Sequence, residues 1–250
     1  MKVALCLHGY FNSFTDKTSK GVDGFKHLEK HLLSKYDVDV YIHSWDVENK
    51  GIILDLYKKH IVDSCFEKQL DFTQAVKENN LHLLPRTPGY VSPETIFSHL
   101  YSLQKSFQFP QLRERDYDIV VKSRFDVGRI NRNTSGPGKQ NPYPVQCLNF
   151  DPSLPMDRVY MANWQEEYLE NEGPADMWFY SSPENMLKFG DIYSMIKRDM
   201  KVHPISLTSE FHEWAKTTSN GMLNTLKAIK WFFIKTNLWD TKGLLETTWE

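Results

Sequence analysis

The chain has 250 residues, 40% of them apolar and 25% charged, a balance that fits a globular protein and excludes a disordered or fibrous one. Lys and Arg number 30 against 32 Asp and Glu, a net charge of -2, so the basic surface by which nucleic-acid binders hold phosphates is not expected. The 3 cysteines, Cys6, Cys65 and Cys147, are scattered and form no CxxC pair, which excludes a disulfide framework or cysteine-rich zinc module and fits a reducing compartment.

In chain order, residues 2–8 contain the unbroken apolar run Val3, Ala4, Leu5, Cys6, Leu7, the pattern of a parallel strand covered on both faces. The run stops at His8-Gly9, where a polar loop begins. Residues 23–35 place Phe25, Leu28, Leu32 and Leu33 at helical spacing, and VDVYIHSW (38–45) reads as a second strand, completing a βαβ unit. One or two helices are expected over 50–80 and a short strand at LHLL (81–84). Ser92-Pro93-Glu94 carries the chemistry of a helix start, with Ser92 as cap, Pro93 in the first position and Ile96, Leu100, Leu103 and Phe107 as the buried stripe.

A strand follows at about 118–122. Residues 131–155 hold Gly136-Pro137-Gly138 and little periodicity, so they read as a long loop at the strand ends. Strands are expected at 158–162 and 176–180, separated by an acidic loop, QEEYLENEG (165–173). Ser182-Pro183-Glu184 starts a helix running to about 199, and helices near 209–216 and 220–235 end the chain. Alternating strands and helices predict an α/β fold with a mixed, mostly parallel sheet flanked by helices. No stretch approaches the ~20 apolar residues of a spanning helix, and no signal peptide is recognisable at the N-terminus, so a soluble, cytoplasmic protein is expected.

Several chemistries fail on spacing. An α/β-hydrolase uses His-Gly at a strand end to build an oxyanion hole, but it also needs a G-x-S-x-G elbow, and no serine here has glycine two residues before it. GPGK (136–139) lacks the earlier glycine and the Ser/Thr of a phosphate loop, and no G-x-G-x-x-G occurs. The informative segment is Lys122-Ser123-Arg124-Phe125-Asp126-Val127, where an aliphatic strand ends in two cations and a carboxylate. Ligands of open α/β sheets lie beyond the C-terminal strand ends. There Asp126 can hold a divalent metal and Arg124 can grip a phosphate. The same residues also read as an ordinary Arg–Asp pair capping a strand.

Three segments, Asp39 to Asp46 (DVYIHSWD), Tyr101-Ser102-Leu103, and Tyr117 to Asp126 (YDIVVKSRFD), together with the later ADMWFYSSPENMLKFGDIY (175–193), resemble sugar-nucleotide-dependent glycosyltransferases of the GT-A type. The likeness is to small enzymes of viral and bacterial polysaccharide pathways, and it covers roughly residues 2–200. It implies a GT-A-like, Rossmann-like catalytic domain over 1–200, with residues 201–250 a helical C-terminal extension packed on the same domain. It implies transfer of a sugar from a nucleoside diphosphate sugar to the hydroxyl of an oligosaccharide or glycan acceptor, in a bacterial or virus-infected host cell.

The resemblance also implies residue roles. The loop Gly9, Tyr10, Phe11, Asn12 and Ser13 would face the nucleotide, with Tyr10 or Phe11 stacking on the base or else packing in the core. His43 and Asp46 would stand on the same rim, Asp46 bonding ribose or base, or else capping the following helix. Asp176 is the first candidate for the general base that takes the acceptor proton. Glu166, Glu167, Glu170 and Glu172 are alternatives, if their loop closes as a lid. The GT-A pattern carries Asp-x-Asp for a divalent cation, Mn or Mg. Here Arg124-Phe125-Asp126 keeps only the second carboxylate, so either Asp126 holds the metal with water and diphosphate oxygens, or Arg124 supplies the charge instead. His203 and His212 are further candidate metal ligands, and some of Trp164, Trp178, Trp214, Trp231 and Trp239 would line an acceptor site. A non-catalytic sugar- or nucleotide-binding module is the alternative from another class.

Overall fold

The computed structural model describes residues 1–12, 20–83, 91–128, 147–163, 166–218 and 223–246, without the side chains of 166–168. Ser13, the Gly136-Pro137-Gly138 stretch and Trp164 therefore lie outside the described residues. The chain opens with β1 (Lys2–Gly9), whose residues Val3 to His8 are all buried. Helix α1 (Lys20–Leu28) continues into a π-helical turn (Glu29–Leu33) and returns to β2 (Asp37–Ser44). Then come α2 (Lys50–Tyr57), β3 (Ile61–Phe66), α3 (Thr73–Glu78), α4 (Pro93–Ser106), α5 (Pro110–Glu114) and β4 (Ile119–Arg124). Next are β5 (Val159–Ala162), α6 (Glu166–Glu172), β6 (Trp178–Ser181), α7 (Pro183–Met186) and α8 (Ile192–Asp199). The last elements are α9 (Glu210–Lys216), α10 (Thr225–Lys235) and β7 (Lys242–Leu245).

These strands form one 7-stranded sheet in the order β3-β2-β1-β4-β6-β5-β7. β1 pairs in parallel with both β2 and β4, β2 with β3, and β5 with β7. β6 runs antiparallel to its neighbours β4 and β5. The sheet is thus α/β, mostly parallel and helix-flanked, as the periodicity predicted. Side-chain alternation along the strands splits the core in two. Ala4, Cys6, Tyr41 and Val120 face α4, α8 and α10, whereas Val3, Leu5, Leu7, Ile119 and Val121 face the α1 side. Ser92 caps α4 by accepting from Thr95 N at 3.2 Å, with Pro93 in the first turn, the helix start that its residue types predict.

Four local readings are corrected. IVDSCF (61–66), expected as helix, is the edge strand β3, because its β-branched Ile61 and Val62 find a partner in β2. Leu81–Leu83 is a 3-10 turn rather than a strand. The acidic run 165–173 contains α6 rather than only loop. In the C-terminal extension, α9 and α10 are helices, but Lys242–Leu245 adds β7 to the sheet beside β5. Among the described residues no helix is long and apolar enough to cross a membrane.

The fold shapes the site through a glycine. α1 presses on the turn that follows β4, and a Cβ on Gly24 would overlap the Phe125 carbonyl. Backbone cannot yield as a flexible side chain can, so Gly24→Ala is expected to lower stability by about 1–3 kcal/mol in urea unfolding. An unchanged midpoint would show that α1 does not bear on this turn.

Candidate functional site

From β1 the chain adds β2 and β3 on one side, then crosses back to lay β4 on the other. The C-terminal ends of β1 and β4 therefore flank a switch in strand order, the place where open α/β sheets bind ligands. Register puts His8 opposite Arg124 and Gly9 opposite Ser44, so the ends of β1, β2 and β4 share one edge. A cavity of about 440 Å³ opens there. The β1 end supplies His8, Gly9, Tyr10 and Phe11, β2 supplies Trp45, and β4 supplies Arg124 and Asp126. Helix α4 closes one wall with Ser98, His99 and Ser102.

Arg124 is the centre of this edge. Its Nε and Nη2 donate to the two oxygens of Asp126, both at 2.8 Å, and its Nη1 donates to Asp176 at 3.1 and 3.2 Å. The Arg124 side chain keeps 33% exposure, against 16% for Asp126 and 14% for Asp176, so it is the most exposed of the three. Burial opposes the charge on Arg124, but Asp126 and Asp176 outweigh it and hold the group above its ordinary pKa. Burial would likewise raise Asp176, yet Arg124, His99 and Lys122 keep its carboxyl well below the usual range. Asp176 reaches this edge because β6 is reversed, which brings the residues before that strand to where β4 ends.

Behind the pair lie three groups, of which the sequence reading noted Lys122 and His8 as parts of their segments and missed His99. Lys122 is fully buried, donates to the Asp176 carbonyl and packs over the Phe179 ring; burial brings its pKa down to about 7. His99 Nε2 lies 3.3 Å from Asp176 Oδ2 without hydrogen-bond geometry, and burial lowers its pKa to about 4. His8, 1% exposed, sets its ring edge-on to His99 at 5.0 Å, and neither of its ring nitrogens has a hydrogen-bond partner. Burial, with Lys122, His99 and Arg124 close by, keeps His8 neutral well below its ordinary value. His99 lies within the helical pattern of α4, where a histidine next to the apolar stripe gives no sign of function in the sequence.

The other expected residues divide. Gly9 has φ +97, the left-handed conformation that lets the chain turn out of β1, and its N–H donates to Ser102 Oγ at 2.9 Å. Tyr10 Oη donates to Gln69 Oε1 at 2.9 Å and stays at the cavity. Phe11 is a core residue, 1% exposed and edge-on to Phe125, because α1 closes over it at Gly21; it touches the cavity without a free face for stacking. Asp46 accepts from Asn12 N and from the backbone and amide of Asn49, so it ties the β1 loop to Asn49, which is itself the cap residue of α2.

His43 is fully buried between Ser102 Oγ (2.8 Å) and Glu67 Oε1 (2.9 Å), away from the cavity lining. The Ser102–His43–Glu67 chain has the connectivity of an acyl-transfer triad. Ser102, however, is fully buried within α4 and its oxygen already holds the Gly9 N–H, so it is not the exposed nucleophile of an elbow.

Both Asp126 oxygens are engaged by Arg124, and a cation stands where the Asp-x-Asp pattern has its first carboxylate. This donor set as folded does not fit a divalent ion. His212 packs on its own helix cap, Ser209, and His203 accepts from its own turn; among the described residues neither belongs to a group of three possible metal ligands. Glu170 pairs with Lys230 at 3.0 Å and Glu172 accepts from Asn224 at 2.6 Å, so these acids tie α6 to the segment of α10. Trp178, Trp231 and Trp239 are core residues, whereas Trp45, stacked on Tyr101 at 5.5 Å, borders the cavity. Compared with models of known families, with curated proteins and with solved structures, the chain matches none.

Neutral histidines at this edge make stability depend on acid. In the unfolded chain His99 takes a proton below about 6.5, while in the folded protein it does so only near about 4. Its contribution is therefore present above about 6.5 and is lost as pH falls toward 4, with a slope of at most about 1.4 kcal/mol per pH unit. His99→Gln removes this slope, so its urea-derived stability is expected to fall less steeply than wild type across that interval. Parallel curves would mean that His99 is already protonated in the folded state.

Proposed function

We propose that the protein is a glycosyltransferase that moves a sugar from a nucleoside diphosphate donor to a carbohydrate hydroxyl. The observation that carries this reading is Arg124 at the β1–β4 switch point, its partly exposed side chain lining a cavity whose volume suits a small ligand. The segments that resemble GT-A enzymes, Asp39 to Asp46 and Tyr117 to Asp126, end on this same edge, which supports assigning the fold to that type.

In this reading the donor diphosphate competes with Asp126 and Asp176 for the Arg124 fork, which is matched to paired phosphate oxygens. The Gly9–Asn12 loop, fixed by Ser102 and Asp46, carries the nucleoside, with Tyr10 at its side. The acceptor oxygen attacks the anomeric carbon, the bond from that carbon to the diphosphate oxygen breaks, and its electron pair leaves with the diphosphate, where Arg124 offsets the new charge. The acceptor proton passes to Asp176. While Asp176 is bound to Arg124 it is a weak base, so recruitment of Arg124 by the diphosphate raises its basicity as the donor arrives. His99, neutral beside Asp176, is placed to share that proton. The charge on the leaving group is met by Arg124; a Mn or Mg ion on Asp126 would first have to displace the guanidinium.

The test is a thermal-shift panel of nucleoside diphosphates with and without Mn²⁺, followed by hydrolysis and transfer assays with the stabilising donor. One nucleotide is expected to raise the Tm, and Arg124→Ala to abolish the shift. Asp176→Asn is expected to keep binding while lowering turnover about 10²–10⁴-fold. A nucleotide that binds with no turnover for any sugar would favour a binding module, and the absence of any shift would overturn the proposal.

A further inference from the structure

On the far side of β2 a second group of ligating side chains gathers, none of them lining the cavity. His43 and Cys65 are register partners on the parallel strands β2 and β3, so they stand side by side on one face of the sheet. Glu67 follows two residues after Cys65. Its N–H donates to Ser44 O at 3.1 Å, which extends the ladder past β3 and returns the Glu67 side chain toward the same face. One nitrogen, one sulfur and one carboxylate oxygen thereby lie within 4.8 Å of one another.

We propose that His43, Cys65 and Glu67 bind a zinc-class divalent transition-metal ion. Imidazole, thiolate and carboxylate are the donor types that zinc takes, and three protein ligands leave a fourth position of a tetrahedron for water. Nδ1 of His43 is held by Ser102 Oγ at 2.8 Å, which fixes the ring and leaves Nε2 for the ion; a partner of this kind raises ligand basicity and sets the tautomer. Nε2 now lies 2.9 Å from Glu67 Oε1, and a small rotation of Glu67, which is 32% exposed, opens the pair around a metal. Two anionic ligands offset the dipositive ion. Lys105, stacked over Tyr101, is the nearby cation, and Asp63 and Lys50 are the other charged groups that act on Cys65.

Binding releases the Cys65 thiol proton to solvent while the sulfur donates its electron pair to the ion, and no redox change occurs. Ser102 also accepts the Gly9 N–H, so one hydroxyl supports both this site and the cavity loop.

Chelator-stripped protein is titrated with Zn²⁺ against a chromophoric chelator and, separately, with Co²⁺. The proposal expects one equivalent, a raised Tm and a thiolate-to-cobalt charge-transfer band in the near ultraviolet. Cys65→Ser and Glu67→Gln should weaken Zn²⁺ by at least about tenfold, Ser102→Ala by about 10–100-fold, and Cys147→Ser should leave it unchanged. Because a variant can misfold, Zn²⁺ protection of Cys65 from iodoacetamide is followed by mass spectrometry in the unaltered chain. A Co²⁺ complex without the thiolate band, or alkylation of Cys65 at the same rate with and without Zn²⁺, overturns the proposal. Neither outcome bears on nucleotide binding at Arg124.

Discussion

The edge on which the candidate site is built depends on one guanidinium held between two carboxylates. Taking Arg124, Asp126 and Asp176 partly out of water is costly, and the arrangement persists because each charge finds an opposite one in hydrogen-bond geometry. The triad does three structural things at once. It finishes β4, it holds the turn through Phe125 against α1, and it pins the residues before β6, so that the reversed strand starts at this edge. Removing Arg124 leaves two carboxylates without their shared partner, whereas removing either acid leaves the guanidinium paired with the other.

Under the proposed function, that arrangement also sets what the cavity selects. In the free protein the Arg124 fork is already satisfied, so a neutral ligand gains little by approaching it, whereas an anion with paired oxygens can take over those donors. In that reading the surroundings favour such an exchange, because burial lowers the pKa of Lys122 to about 7 and holds those of His99 and His8 below their ordinary values, and arriving negative charge would draw protons to them. A reserve of titratable groups behind one fixed cation lets the site accept charge without a fixed excess of positive potential.

Much of this was legible in the sequence. Unbroken apolar runs marked β1 as a strand buried on both faces and β4 as a strand, and the cap, proline and acid at 92–94 marked the start of α4. The cluster at Lys122–Asp126 marked the candidate edge, because a strand buried on both faces tolerates charges at its end only where they meet water, a ligand or one another. What stayed hidden depends on contacts between distant segments. Ile61–Phe66 is short, and its partner in β2 decides it in favour of strand. Phe11 and Tyr10 are adjacent aromatics, and only the closure of α1 at Gly21 sends one inward. His43 reads as a rim residue from its position at the end of β2, but its ring turns toward Ser102 and Glu67. The pairing of Arg124 with Asp176, 52 residues apart, could not be seen, because it rests on the antiparallel course of β6.

Helix α4 carries His99 and Ser102 three residues apart, on neighbouring turns of one rigid rod. The first faces the acid held by Arg124; the second grips both the bend after β1 and the imidazole of β2. A rod cannot shift at one of these points and stay still at the other. The two ends of the polar edge therefore share a single mechanical part, and an adjustment made at either is transmitted along the helix.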